Sequence, residues 1–468
     1  MHPTTIGTFH GTRAHRTIPA LLAAAVAAAL VSCVATPPLP DRPEPEPPWE
    51  SMSAFIALGE PEAALAAYER AITDAPGSAE TRLLHARLLM LAGRLDDARD
   101  ELGLLLAGDP KNVAVLFNLS LVEGLAGRES ERAALLERVV AADPAHAEAL
   151  AALGDLALAA GDEAEAASLY DRALAAEPGS LVALAGLSEI AFRGKRYEES
   201  ADLLTRAITA DPGWPFSYID RARARRSLGD TTGALEDLAT AIGLDPGYAW
   251  TYVDRGRLYA RTGRDAEAVA DFTAAIRLDP TLFVAYAPRA ELFYRADRRA
   301  EAIADFTRVL ELRPDYGYAH APLGVLLYGE GQWGGAYTHL RAAYGEQPEE
   351  PAWELLAALA ARRGGDRRTS ASVLQALLPD LDRSSWYGDV ARCLLEPSAD
   401  FVLATRIERE SDRVLRARML YYLAEAATLA GRPGAARAYL LEAKDAGAAD
   451  NPETRLARWE LAKLGVSP

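Results

Sequence analysis

The chain has 468 residues, half of them hydrophobic, and its 67 acidic residues outnumber 50 basic ones to give a net charge of −17. General nucleic-acid binding needs a basic face, and this balance argues against it. Two cysteines, Cys33 and Cys393, leave no room for a disulfide framework.

Residues 1–17 carry Arg13 and Arg16 and no acid, and residues 18–31 form a short apolar run. About 14 residues fall short of the ~20 that a membrane-spanning helix needs. A basic region, a short apolar core and small residues together read as a secretory signal peptide covering 1–32. The run closes in Leu30-Val31-Ser32-Cys33. This resembles the bacterial lipobox, which implies cleavage before Cys33 and lipid attachment to its thiol. An ordinary cleaved leader with an incidental cysteine is the alternative. Several acyl chains would anchor the chain stably where one would not. Mature residue two would be Val34 and not Asp, which leans towards the periplasmic face of the outer membrane in a bacterial cell envelope.

Residues 33–48 hold the lipid-site cysteine and a run with Pro37, Pro38, Pro40, Pro43, Pro45, Pro47 and Pro48. Such a run favours extended polyproline II and reads as a semi-rigid stalk, with recognition of its prolines by a partner as a weaker reading.

From there a strict period sets in. Pro76, Pro110, Pro144, Pro178, Pro212, Pro246, Pro280, Pro314 and Pro348 stand 34 residues apart, six of them after Asp or Glu. A fixed period of this size signals a stacked repeat array, in which added length adds repeats and not separate cores. With the proline at position 32, nine repeats run from 45 to 350. Position 8 is small (Ala86, Ser120, Gly154, Ser188, Ala222, Gly256, Ala290, Gly324). Position 20 is mostly alanine and position 24 large (Tyr68, Leu102, Leu136, Tyr170, Leu204, Leu238, Phe272, Phe306, Leu340). Position 15 is usually glycine. Apolar residues at positions 4, 7, 8 and 11, then 20, 24 and 27, have helical spacing. Glycine at 15 ends the first helix in a left-handed residue, small residues at 8 and 20 allow close approach, and proline at 32 ends the second helix. Each repeat is predicted to be an antiparallel helical hairpin.

These positions resemble the tetratricopeptide repeat (TPR) family across 45–350. The resemblance implies an all-α, right-handed superhelical solenoid of helix–turn–helix hairpins. Departures are Arg132 at position 20, expected to loosen packing locally, Lys195 and Asp297 at 15, and Arg221, Arg255 and Arg289 at 7. A subset of these repeats tolerates Asp-Arg-Gly/Ala at 6–8. The pattern blurs over 351–416, a degenerate helical region that still keeps Gly365, Ser370 and Leu374. It returns over 417–468 as a final hairpin, then a helix opened by Pro452, expected to cap the array with one wet face. Eleven to twelve hairpins are expected.

The family's first helices line a concave face through positions 2, 5, 9, 12 and 13. Early repeats carry bland residues there: Ala114, Phe117, Leu121, Leu125, Ala151 and Leu158. Later ones carry Phe216, Arg223, Arg226, Trp250, Arg257, Arg261, Tyr294, Arg295, Tyr318 and Tyr328, the residue types enriched at interface hot spots. These ten form the predicted binding groove, with the arginines placed to grip an acidic or carboxylate-bearing segment. The competing reading is that the arginines pair with Asp220 and Asp254 or are solvated, and that Tyr218, Tyr252 and Tyr286 at position 4 are packing. The family's carboxylate-clamp pattern is absent, since position 5 holds Ile219, Val253 and Ala287.

No catalytic motif emerges. His85, His146, His320 and His339 form no HExxH or close ligand pair, Gly194-Lys195-Arg196 is no P-loop, and Cys393 in an apolar run reads as a buried small side chain. The expectation is a non-enzymatic, lipid-anchored envelope scaffold that binds a protein or peptide partner. It would need no cofactor or metal, contact the membrane only through its lipid, and bind no nucleic acid. The alternatives are a solute-handling transport component with a dry aromatic pocket, and a structural spacer.

Overall fold

The computed structural model describes residues 60–72, 78–382, 384–396, 400–446 and 451–466. The leader, Cys33, the proline stalk and the first helix of the first repeat lie outside these residues. Among the described residues there are 24 α-helices and no strand. No described helix is long and apolar enough to cross a membrane. The chain divides into two compact units, one ending at Leu244 and one starting at Asp245.

The N-terminal unit opens with Pro61–Ile72, the second helix of its repeat. Five hairpins follow: Ala79–Leu91 with Leu95–Gly108, Val113–Leu125 with Glu129–Ala142, Ala147–Ala159 with Glu163–Ala176, Leu181–Arg193 with Tyr197–Ala210, and Pro215–Ser227 with Thr231–Leu244. Within each hairpin, and from each hairpin to the next, consecutive helices pack together.

The hairpin bend falls where expected. Gly93, Gly127, Gly161, Gly229, Gly263, Gly331, Gly365 and Gly431 all adopt φ between 71° and 91°. Lys195 and Asp297 adopt the same left-handed conformation at φ 57° and 56°, without glycine's freedom from the Cβ clash. The acid before the proline has a local task. The Asp109, Asp143, Asp211, Asp245 and Asp279 carboxylates each accept the backbone N–H two residues on, at 2.8–3.3 Å, and so close the turn into the next repeat.

Positions 8 and 24 meet in the core. A Cβ on Gly154 would stand 2.6 Å from the Tyr170 ring, and one on Gly256 would stand 3.0 Å from the Phe272 ring. Tyr170 is also pressed against Gly186 of the next repeat, where a Cβ would fall 2.2 Å away. Arg132 does not loosen its repeat. It is buried, its stem lies over Gly124, and its guanidinium bonds Glu129 at 3.2 Å. Cys393 is buried, and burial pushes its thiol up to about 12.

The arginines at position 7 have a partner that the repeat pattern did not show. Arg221, Arg255 and Arg289 each make two bonds, 2.7–3.0 Å, to Asp237, Asp271 and Asp305 at position 23 of the same hairpin. Each guanidinium also lies 5.6–5.9 Å from the ring of the position-4 tyrosine. Those three tyrosine hydroxyls donate to the carbonyls of Pro212, Pro246 and Pro280 at 3.2–3.3 Å. They are therefore packing residues that also tie each hairpin to the preceding turn.

The C-terminal unit starts as the same array. Its hairpins are Ala249–Arg261 with Asp265–Leu278, Phe283–Arg295 with Arg299–Leu312, His320–Gly329 with Trp333–Glu346, and Ala352–Arg363 with Arg367–Leu377. The degenerate region forms the short helices Trp386–Leu395 and Asp400–Arg409. The last hairpin is Arg413–Leu429 with Pro433–Ala446, starting four residues earlier than the pattern suggests, and Pro452–Lys463 follows it. In His320–Gly329 every residue from Leu323 to Gly329 is buried, and Arg413–Leu429 buries Met419 to Ala427 without a break. Helices buried all round belong to the middle of a bundle. Pro452–Lys463 buries Glu453, Thr454, Arg455, Leu456, Ala457, Trp459 and Leu461, while Arg458, Ala462 and Lys463 stay exposed.

Candidate interaction faces

In the N-terminal unit, position 9 of successive first helices gives Asp155, Glu189 and Arg223. The Arg223 guanidinium bonds Glu189 and lies 4.0 Å from the Phe192 ring centroid, while Arg193 bonds Glu189 at 2.9 Å. Burial works to push the Glu189 carboxyl up, but the Arg223 and Arg193 charges outweigh it and hold it below its ordinary value. Arg223 is thus already paired, with Glu189 of the preceding repeat. Phe216 leans on Trp214 at 5.2 Å, and Arg226 is engaged as well.

Asp155 differs. Burial pushes its carboxyl up to about 6, against the Tyr170 hydroxyl that donates to it at 2.7 Å and the nearby Arg132 charge. Tyr170 reaches it by passing between two glycines. Beside these groups the face is apolar: Phe117 and Leu158 are half-buried, and Leu125 is 37% exposed. Asp155, Glu189 and Phe192 were not among the predicted site residues. Their signal was positional, since they share positions 9 and 12 with Arg223 and Arg226.

In the C-terminal unit the predicted residues part company. Arg257 sits near Tyr316, whose phenol is pushed up by burial and drawn back by that arginine's charge. Tyr316 lies between Phe283, edge-on at 5.8 Å, and Tyr318, tilted at 5.9 Å. Tyr318 is 69% exposed, Arg261 is exposed, and Trp250 is half-buried against the Val253–Phe272 core. Arg295 bonds Asp265 at 3.0 Å. Tyr328 is not on a surface. It is wholly buried, and its hydroxyl donates to Glu425 at 3.1 Å, while Arg363 grips the same carboxylate with two bonds of 2.8 and 3.0 Å. Tyr294 is covered by Arg455, whose guanidinium lies 4.0 Å over its ring.

Two further features lie outside the predicted residues. His320 and His339, 19 residues apart, bring their Nδ1 atoms to 2.9 Å. Among the described residues no group of three or more His, Cys, Asp or Glu is arranged to hold a metal. A surface depression lined by Asp389, Phe401, Val402, Thr405, Arg406, Arg409 and Glu410 has charged walls, unlike the dry aromatic pocket a hydrophobic solute would need.

Family models of the tetratricopeptide repeat match residues 55–119 and 157–225, and again 125–181, 219–282 and 288–351, together more than half of the chain. The chain belongs to the tetratricopeptide repeat family, whose members serve as scaffolds for protein–protein interaction. No curated protein matches it. Among solved structures it is similar to a tetratricopeptide repeat protein from Parabacteroides merdae, at 21% identity and TM-score 0.38, covering 50% of this chain and 92% of that one. It is also similar to the C-terminal part of a TPR repeat-containing protein from Cytophaga hutchinsonii, at 13% identity and TM-score 0.40, covering 52% and 99%. A third is YrrB, described as a TPR protein with an unusual peptide-binding site, at 19% identity and TM-score 0.34, covering 39% and 95%.

Proposed function

We propose that the chain is a non-enzymatic adaptor of the bacterial cell envelope, held by a lipid on Cys33 and binding a protein or peptide on the first-helix face of its N-terminal unit. The observation that carries the reading is the composition of that face. Half-buried and exposed apolar side chains (Phe117, Leu125, Leu158, Phe216) run beside charged groups that are already paired, Arg223 with Glu189. An apolar strip with a satisfied polar border is the anatomy of a protein interface. It accepts an apolar or amphipathic segment better than a free carboxylate, because Arg223 is committed. The leader, the Leu-Val-Ser-Cys run and the proline stalk support display from a membrane, on the periplasmic side of the outer membrane.

The test compares residues 34–468 with a Phe216→Ala/Leu125→Asp variant as bait on solubilised envelope membranes. A partner captured by the first and lost by the second, at unchanged circular dichroism, is the expected result. Equal capture by both overturns the face. Mass spectrometry of the mature N-terminus should find acylated Cys33; an unmodified cysteine, or cleavage elsewhere, sinks the anchor.

A further inference from the structure

The repeat at 317–350 changes three positions at once. In the three repeats before it, position 4 is tyrosine, position 7 arginine and position 23 aspartate, and the arginine pairs with the aspartate. In 317–350 the same positions hold His320, Leu323 and His339. Leu323 is buried and brings no charge to the place. The two imidazoles meet there, stacked at 28° with ring centroids 5.2 Å apart and Nδ1 atoms 2.9 Å apart. Both are half-buried, so water and small ions can reach them. Nineteen residues separate them in the chain, which is why sequence spacing shows no close ligand pair and the folded hairpin makes one.

Only one of two facing nitrogens can carry hydrogen between neutral rings, so a single N–H···N bond holds the pair. Burial pushes both imidazoles below their ordinary value, with the Glu346 charge drawing His320 partway back and His320 adding to the effect at His339. Both rings are therefore neutral at pH 7, the form that ligates a metal.

The spacing selects the ion. Two nitrogens bonded to one ion at about 2.0–2.1 Å stand roughly 2.9 Å apart across a right angle and roughly 3.3 Å apart across a tetrahedral one. A right angle between imidazole nitrogens belongs to a tetragonal site, the geometry of Cu(II), which also binds nitrogen ligands most tightly among the divalent first-row ions. We propose that His320 and His339 form a two-imidazole site for Cu(II), with the ion joining their Nδ1 atoms and clipping helix His320–Gly329 to helix Trp333–Glu346. In the bound form each ring carries its proton on Nε2. Water completes the shell, because the pair belongs to no larger group of metal-holding side chains among the described residues. The Glu346 carboxyl, packed against Gly317 and felt by His320, offsets part of the ion's charge. The site goes beyond the N-terminal face and shares no residue with it.

The test titrates Cu(II) into the full chain by isothermal calorimetry, with the leader histidines removed in every sample by His2→Ala/His10→Ala/His15→Ala. One equivalent should bind and give a tetragonal electron paramagnetic resonance signal with nitrogen splitting. His339→Ala should weaken binding at least ten-fold. His320→Tyr should do the same at unchanged circular dichroism, because it installs the position-4 residue of the preceding repeats. His85→Ala/His146→Ala should leave binding within two-fold, and Zn(II) should bind at least ten-fold more weakly than Cu(II). Binding that survives both His320→Tyr and His339→Ala, or that is lost with His85 and His146, overturns the site. Zn(II) binding as tightly as Cu(II) overturns the right-angled geometry and the proposal with it. Loss of Cu(II) with partner capture intact would leave the adaptor reading standing.

Discussion

The two units use the same hairpin and treat its first helix differently. In the N-terminal unit the first helices bury the side that meets the second helices, and the other side keeps Leu125, Phe192 and Arg223 partly open. In the C-terminal unit that other side is itself core by His320–Gly329, because Arg413–Leu429 and Pro452–Lys463 lie against it. The difference is one of context and not of local propensity. A repeat of given length makes a hairpin; whether its inner side stays available depends on what the rest of the chain brings to it.

The comparison can be broken most decisively at Glu425. Glu425→Ala leaves Arg363 and Tyr328 enclosed without their acceptor, and should cost about 3 kcal/mol of stability in urea unfolding followed by circular dichroism. A loss under 1 kcal/mol would mean that this centre is wetter than its burial implies. In the N-terminal unit, tight packing is the vulnerable element. Gly186→Ala drives a methyl into the Tyr170 ring and should cost about 2 kcal/mol in the same assay; a neutral result would show that the ring has room to move.

Asp155 supplies a pH signature confined to the N-terminal unit. Its carboxyl is raised in the folded chain, so between the ordinary 3.8 and about 6 the folded state binds more protons than the unfolded one. Stability from this group therefore falls as pH rises through that window. Asp155→Asn should raise the free energy of unfolding at pH 7.5 by on the order of 1–2 kcal/mol, and change it little at pH 4. An equal effect at both values would remove the carboxyl's burial as the cause. The smallest effect sharpens the contrast most. Lys195→Gly relieves a left-handed non-glycine residue and should stabilise by about 0.5–1 kcal/mol. Asp297→Gly relieves the same strain but loses the bond that its carboxylate accepts from the Trp459 indole, for a net loss of about 1 kcal/mol. Midpoints moving the same way would contradict the role given to Asp297.

What the sequence made legible follows the same division. The bends at position 15, the small-against-large packing of positions 8 and 24, and the hairpin at 351–384 were all readable, because each rests on contacts within about 34 residues. The partners of Arg221, Arg255 and Arg289 were missed although the signal was internal. Repeats with arginine at 7 have aspartate at 23, and those with Leu119, Leu153 and Leu187 have Leu135, Leu169 and Leu203. The covering of Tyr294 and Tyr328 was not readable from periodicity. It depends on contacts about 100 and 160 residues apart, and a repeat register carries no information at that range. The near-continuous apolar stretch of His320–Gly329 was the one local hint, since an open first helix has no use for apolar residues on every side.

The Arg–Asp pairing of positions 7 and 23 bears on how such a chain finds its own fold. A tandem array is a set of near-copies, and its characteristic error is for the first helix of one copy to close on the second helix of another. Here six of the copies, from 113 to 316, fall into two classes. A helix bearing Leu153 set against one bearing Asp271 would trap a carboxylate in oil, and one bearing Arg255 set against Leu169 would strand a guanidinium. Each class rejects the other's halves by the cost of an unpaired charge. The three repeats that carry the Arg–Asp pair thus differ in core chemistry from the leucine-paired copies before them, and halves of the two classes are not interchangeable without burying an unpaired charge.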